Sequence, residues 1–268
     1  MDEIRVSSWN ELSETLHENS WNKDLQRFRS TCAFRGVSDR CYDLMTSLRR
    51  LGGPTDRLED HILRAFRKYA ETRSVPDDWV WNWLALAQHH GLPTRLLDWT
   101  YSPFVAMHFA TENTRRYDSD GLIWMVDIRR TNGFLPEKLK ALLRDEGSDV
   151  FSAAMLNAAA STIDRFDALS DDPFVVFFEP PSLDARIVNQ YALFSLVSDP
   201  VLTLDDWLAR HPGVVRRIII PAELKWEVRD KLDQGNITER VLYPGLDGLS
   251  RWLRRYYTPR HDETRDLV

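Results

Sequence analysis

Gln88-His89-His90-Gly91-Leu92-Pro93-Thr94-Arg95-Leu96-Leu97-Asp98-Trp99-Thr100 places an amide, two imidazoles, a guanidinium, a carboxylate, an indole and two hydroxyls around one Gly-Pro turn. Hydrogen-bonding side chains packed this densely on a sharp turn mark the place where a ligand site is expected, because a rigid turn can aim them at one point. On its N-terminal side, Asp77 to His90 is tryptophan-rich and helical in pattern, and Gly91 with Pro93 just beyond ends the helix. On its C-terminal side, Thr94 to Trp99 reads as short and extended. Ser102-Pro103 then starts a helix, with the hydroxyl as cap and proline at the first helical position, running to about Arg116.

Further out, Trp9 to about Glu18 predicts a short helix, and Ser30 to Gly36 a strand that stops at a glycine. Asp56 to Thr72 sets Leu58, Ile62, Ala65, Phe66 and Tyr69 on one face at three-four spacing. Gly121 to Ile128 predicts a buried strand. Residues 131–172 differ in texture: Pro136 to Arg144 and Val150 to Phe166 read as helices, forming a helical insertion that covers a cleft or offers a docking surface. Strands are expected again at Phe174 to Phe178, Arg186 to Val197 and Val214 to Ile220. A helix from Pro221 to about Gln234, a strand-like run from Ile237 to Tyr243 and a helix from Leu246 to Tyr256 close the chain. Without a regular βαβ rhythm, the expected class is α+β, a central mixed β-sheet flanked by helices. The expected organisation is a helical lead-in over 1–29, one globular domain over 30–255 and a tail over 256–268.

With 268 residues, 43% hydrophobic and 28% charged, the chain can bury a sizeable core. No run approaches the roughly 18 apolar residues of a membrane helix. The start, Met1-Asp2-Glu3-Ile4-Arg5, lacks the pattern of a secretory signal, and Cys32 and Cys41 fit no metal spacing, so a cytoplasmic protein with reduced thiols is expected. A net charge of -6 argues against a chain-wide grip on nucleic acid but leaves room for a local patch. Of the 35 basic residues only six are lysine; the arginine excess suits carboxylate and phosphate recognition and equally fits codon bias.

Several residues stand out. Adjacent helical residues such as His89 and His90 point roughly 100° apart, so they do not share one ion, and no metal is expected. Asp98 falls on an apparently buried strand and must be paired; it is either the partner of Arg95 or Arg35, or an acid at a polar ligand site. Arg186 and Gln190 would share a strand face. The tail cluster Arg251-Trp252-Leu253-Arg254-Arg255-Tyr256-Tyr257 mixes phosphate-binding and stacking types, at the spacing of an ordinary amphipathic helix with a basic outer face. Phosphate-binding loops, dinucleotide glycine fingerprints, nucleophile elbows and His-Glu-x-x-His are all missing from the sequence.

Ala33-Phe34-Arg35-Gly36-Val37-Ser38-Asp39, Ser47-Leu48-Arg49-Arg50, Gln88 to Thr100 and Ser102-Pro103-Phe104-Val105-Ala106 together resemble the FRG domain family. Arg186, Gln190-Tyr191-Ala192-Leu193-Phe194 and Leu242-Tyr243-Pro244-Gly245-Leu246-Asp247-Gly248-Leu249 extend the resemblance to about residues 30–255. The family's layout is similar to the ADP-ribosyltransferase fold. In that layout Thr94 to Thr100 runs into a helix ending in Ala106-Met107-His108-Phe109-Ala110, which implies Arg35 gripping the ribose or phosphate of NAD, Thr94 or Thr100 shaping a nicotinamide pocket, Trp99 or a nearby aromatic stacking on a ring, and Gln190 at the late polar position. Transferases of this type place a glutamate there; Gln190 lacks the charge, with Asp98 or Glu179 as substitutes. The implied catalytic set is Arg35, Asp98 and Gln190. The implied NAD-contacting set is Arg35, Gln88, His89, His90, Thr94, Arg95, Trp99, Thr100 and Arg186. The implied activity is ADP-ribosyl transfer or NAD hydrolysis, as in a bacterial toxin or phage-defence effector. The alternatives are a non-catalytic module that binds a nucleotide or nucleic acid, and a scaffold that docks a protein through 131–172.

Overall fold

The computed structural model describes residues 2–53, 55–70, 75–182 and 184–260. The expected helix end at Thr72 and the last eight residues of the tail lie outside them. Ten strands form among the described residues: β1 (Asp2–Arg5), β2 (Trp21–Asn22), β3 (Arg27–Phe28), β4 (Cys32–Val37), β5 (Leu97–Thr100), β6 (Gly121–Asp127), β7 (Phe151–Ser152), β8 (Val175–Glu179), β9 (Ala192–Val197) and β10 (Val215–Ile220). Eight build one sheet in the order β1-β10-β6-β4-β5-β9-β8-β7, and β2 and β3 form a separate hairpin. The edge pairs β1/β10 and β7/β8 are parallel and the interior pairs antiparallel. The class is therefore α+β with a mixed central sheet, as expected.

Strand alternation divides the core. Along β6, Ile123 and Met125 join Phe34, Met107, Ile218 and Val228 under the helices Trp9–His17, Pro103–Thr111 and Lys225–Gln234. Leu122, Trp124 and Val126 turn the other way, towards Trp99, Phe177, Trp207 and Leu208. Farther along the sheet, Phe178 and Phe194 pack with Trp81, Leu84, Phe166 and Phe174. Each such side chain contributes about 1.5–3 kcal/mol by leaving water. The centre of the sheet is consequently stiff enough to hold a site in register.

The sequence reading fails where a local cap overrides strand propensity. Arg186 to Asn189 is not extended: Ala185–Asn189 is a short helix, begun by the Asp184 carboxylate accepting the amide of Ile187 at 3.0 Å. Gln190 closes that helix, Tyr191 adopts φ 51°, and β9 starts only at Ala192. Glu239–Leu242 likewise forms a helical turn instead of a strand, with Glu239 at its N-terminus clasped by Arg255. The helix from Ser102-Pro103 stops at Thr111, short of Arg116.

Residues 131–172 are largely helical, and much of the stretch packs into the core. Leu139, Phe151, Leu156, Ile163 and Phe166 are core residues, and Trp81 donates its indole N–H to the carbonyl of Ala160 at 2.8 Å. The expected helix Val150 to Phe166 is broken into β7, Ala153–Ala159 and Ile163–Asp167, the last restarted by the Thr162 hydroxyl. The lead-in over 1–29 is only partly helical, since β1 extends the main sheet.

Candidate functional site

β4 and β5 are neighbours at the middle of the sheet, yet they pair only at Phe34↔Thr100. Beyond that point the ladder opens. Arg35 replaces a missing backbone bond with a side-chain one, its Nη1 donating to the carbonyl of Asp98 at 2.6 Å. A cavity of about 310 Å³ lies at this split, lined by Phe34 to Val37 of β4, Ser38, Tyr42, Asp98 to Thr100 of β5, Phe109 and Glu112, and Arg186, Gln190 and Ala192. That volume lies at the lower end of the range of small-molecule pockets.

The Phe-Arg-Gly triplet builds one wall residue by residue. Phe34 is fully buried beneath the helix Pro103–Thr111. Gly36 lets that helix come down onto the strand, because a Cβ there would overlap the carbonyl of Ala106 and press on the amide of Ala110. Between them, Arg35 is left short of partners. Its Nε is buried with no hydrogen-bond partner among the described residues, and the nearest Asp98 carboxylate oxygen is 4.0 Å away. Burial pulls the Arg35 pKa down from its usual value, and Asp98 opposes the shift. Arg35 thus borders the cavity as a cation whose buried Nε–H is left without a partner.

The Gln88–Thr100 block supplies the opposite wall through a relay. Gly91, at φ 79°, ends the helix Val80–His89 and turns the chain back towards the sheet. The Thr94 hydroxyl donates to Oε1 of Gln88, whose Nε2 donates to Oδ2 of Asp98 at 2.8 Å. Asp98 is thereby aimed. Its side chain is 60% exposed and faces the cavity, whereas a buried carboxylate was expected from the strand around it. Thr100 lines the cavity too, but its hydroxyl is used internally, donating to the carbonyl of Gln190 at 2.7 Å.

Not every sequence-flagged residue reaches the cavity. Arg95 turns away from it, buried and clamped by Glu59 and by both carboxylate oxygens of Asp167 at 2.8 and 2.9 Å. Trp99 borders the cavity but buries its indole, with Nε1 on Ser195 at 2.8 Å and the ring edge-on to Phe177. Thr94 is buried one layer back. His89 binds Asp184 at 2.6 Å, which steadies the short helix carrying Arg186; His90 lies outside the cavity, edge-on to His89. Arg186 lines the cavity and rests over the ring of Tyr243 at 5.2 Å. Gln190 lines it as well, its side-chain N–H donating to the carbonyl of Leu242 at 3.0 Å.

The residue that sequence reasoning passed over is Glu112. It was hidden inside a helix drawn on to Arg116; the helix in fact ends at Thr111, which leaves Glu112 as its C-cap on the cavity rim. A carboxylate four residues after a histidine at a helix end was the available signal. No group of three or more metal-ligating side chains occurs among the described residues. No helix among them is long and apolar enough to cross a membrane.

No curated protein and no solved structure matches this chain. A family model matches the segment that supplies Arg35, Gly36, Asp98 and Glu112: over residues 30–119 the chain carries an FRG domain.

Proposed function

We propose that the cavity at the β4/β5 split binds NAD and that the protein cleaves its nicotinamide–ribose bond, by ADP-ribosyl transfer or hydrolysis on an ADP-ribosyltransferase-like scaffold. The observation that carries this reading is Arg35, an enclosed cation with an unpartnered N–H beside the aimed carboxylate of Asp98. A phosphate oxygen completes Arg35, while Asp98 accepts from ribose hydroxyls; Arg186 widens the cationic side. The pairing of an anion seat with a hydroxyl acceptor suits a sugar phosphate better than a simple inorganic anion.

Nicotinamide release from NAD by the purified protein tests this, alongside NAD-dependent thermal stabilisation of wild type and Arg35→Ala. Release together with stabilisation, both lost in Arg35→Ala, is expected. Wild type that neither releases nicotinamide nor gains stability with NAD contradicts it.

A second reading rests on Gln190. With its amide held by Leu242, it brings no charge to the late position, and a module that binds a nucleotide without turnover fits that feature. Stabilisation without release separates the two.

A further inference from the structure

We infer that Glu112 is the catalytic carboxylate of this cleft, the group that faces the reacting ribose carbon and takes the proton from the attacking nucleophile. The inference rests on the NAD reading above and adds the residue that does the chemistry.

Four observations converge on it. Glu112 ends the helix Pro103–Thr111, where the helix dipole favours a cation, so the position works against helix stability and is not explained by it. Among the described residues no lysine or arginine pairs with Glu112, so its charge stays available, unlike that of Asp98 beside Arg35. The Tyr243 hydroxyl donates to Oε2 at 3.3 Å from one side. From the other side comes His108, fully buried, whose Nε2 has no hydrogen-bond partner and stands 3.6 Å from the same oxygen.

The histidine's state follows from its second partner. Nη1 of Arg229 lies 2.8 Å from Nδ1 of His108, and a guanidinium can only donate. Nδ1 therefore holds the lone pair, the ring is neutral, and its one proton is on Nε2, aimed at Glu112. Burial lowers the His108 pKa, Glu112 opposes this and Arg229 adds to it. At 3.6 Å this N–H is too far for a hydrogen bond, but a neutral ring turned towards the carboxylate leaves its charge uncancelled.

Location completes the case. Glu112 lines both the Arg35 cavity and a second cavity of about 430 Å³ bordered by Arg251, Arg254 and Tyr243. A nucleophile arriving through the second cavity meets the donor at Glu112. In the hydrolytic step, water oxygen bonds to C1′ of the ribose. The C1′–N bond breaks with its electron pair going to nicotinamide, and Glu112 takes the water proton and later releases it to solvent. The negative carboxylate also stabilises the positive charge that develops on the sugar.

Purified protein is assayed for nicotinamide release with NAD alone, and its NAD-induced melting shift is measured. Glu112→Gln keeps the acceptor for Tyr243 but removes the charge. It is expected to lower kcat at least about 100-fold, with KM within about threefold of wild type and the NAD-induced shift retained. Glu112→Asp, which keeps the charge but shortens the reach, is expected to fall between. Glu112→Gln turning over within about threefold of wild type, while Arg35→Ala is inactive, overturns the role of Glu112 and leaves the NAD reading standing. Wild type without release overturns both.

Discussion

Arg35 and Arg95 are both arginines enclosed by the same central sheet, and they are satisfied in opposite ways. Arg95 meets two carboxylates: Glu59 takes its Nε–H and its backbone amide, and Asp167 grips Nη1 with both oxygens. Arg35 meets one carbonyl at 2.6 Å, a carboxylate at 4.0 Å and nothing at Nε. Arg255 belongs with Arg95, since its guanidinium is shared between Glu239 and Asp233. Burying a cation is costly unless it is paired. An arginine given its full complement of acids is part of the framework, whereas Arg35 keeps an N–H without a partner, the feature on which the proposed anion site rests.

The largest effect expected from this contrast is on stability. Arg95→Ala strands Glu59, whose side chain is only 3% exposed, and should cost about 3–5 kcal/mol, lowering Tm by roughly 5–9 °C. Denaturant unfolding measures the loss; a change below about 1 kcal/mol would place Arg95 with Arg35 instead.

Next comes the acid response of the second saturated arginine. Burial raises the Glu239 pKa, but hydrogen bonds and charge from Arg255 outweigh it and hold the group at about 2, below the ordinary 4.5. Because the folded value is depressed, its contribution is present above pH 4.5 and is lost as pH falls towards 2, about 3 kcal/mol in all. Unfolding free energy measured across that window should drop in wild type and drop less in Glu239→Gln. Equal slopes would show that the clasp is not coupled to folding.

Arg35→Ala should behave the other way round. With no tight carboxylate left behind, stability is expected to change by less than about 1 kcal/mol, while affinity for NAD falls at least about 100-fold, or about 2.7 kcal/mol. Paired melts with and without NAD read both quantities. The smallest effect belongs to Asp98→Asn, which keeps an acceptor for Gln88 but loses the charge near Arg35. About a tenfold loss of NAD affinity is expected from the same melts, and an unchanged shift would remove Asp98 from the site.

Much of this arrangement was legible in the residues. Ser102-Pro103 announced its helix, Gly91 its turn, and β6 its burial, because caps and apolar runs act locally. Arg35, Asp98, Thr100, Arg186 and Gln190 were singled out and do border one cavity. Direction was what the string could not supply. Asp98 and Arg95 are three residues apart on the same short segment, yet one opens to the cavity and the other is drawn off by Asp167, a partner 72 positions away. Glu112 was lost to a helix end misplaced by four or five residues, and the Ala185–Asn189 helix to a single aspartate cap that outcompeted β-branched neighbours.

The most direct measurement is a crystal structure of the protein grown with ADP-ribose, the part of NAD that carries both ribose and phosphate. A phosphate or ribose oxygen within hydrogen-bond distance of Nε of Arg35, with sugar hydroxyls on Asp98, is the expected result. Arg35 still bonded only to the carbonyl of Asp98, with the nucleotide absent or seated on another surface, would contradict the assignment of this cleft.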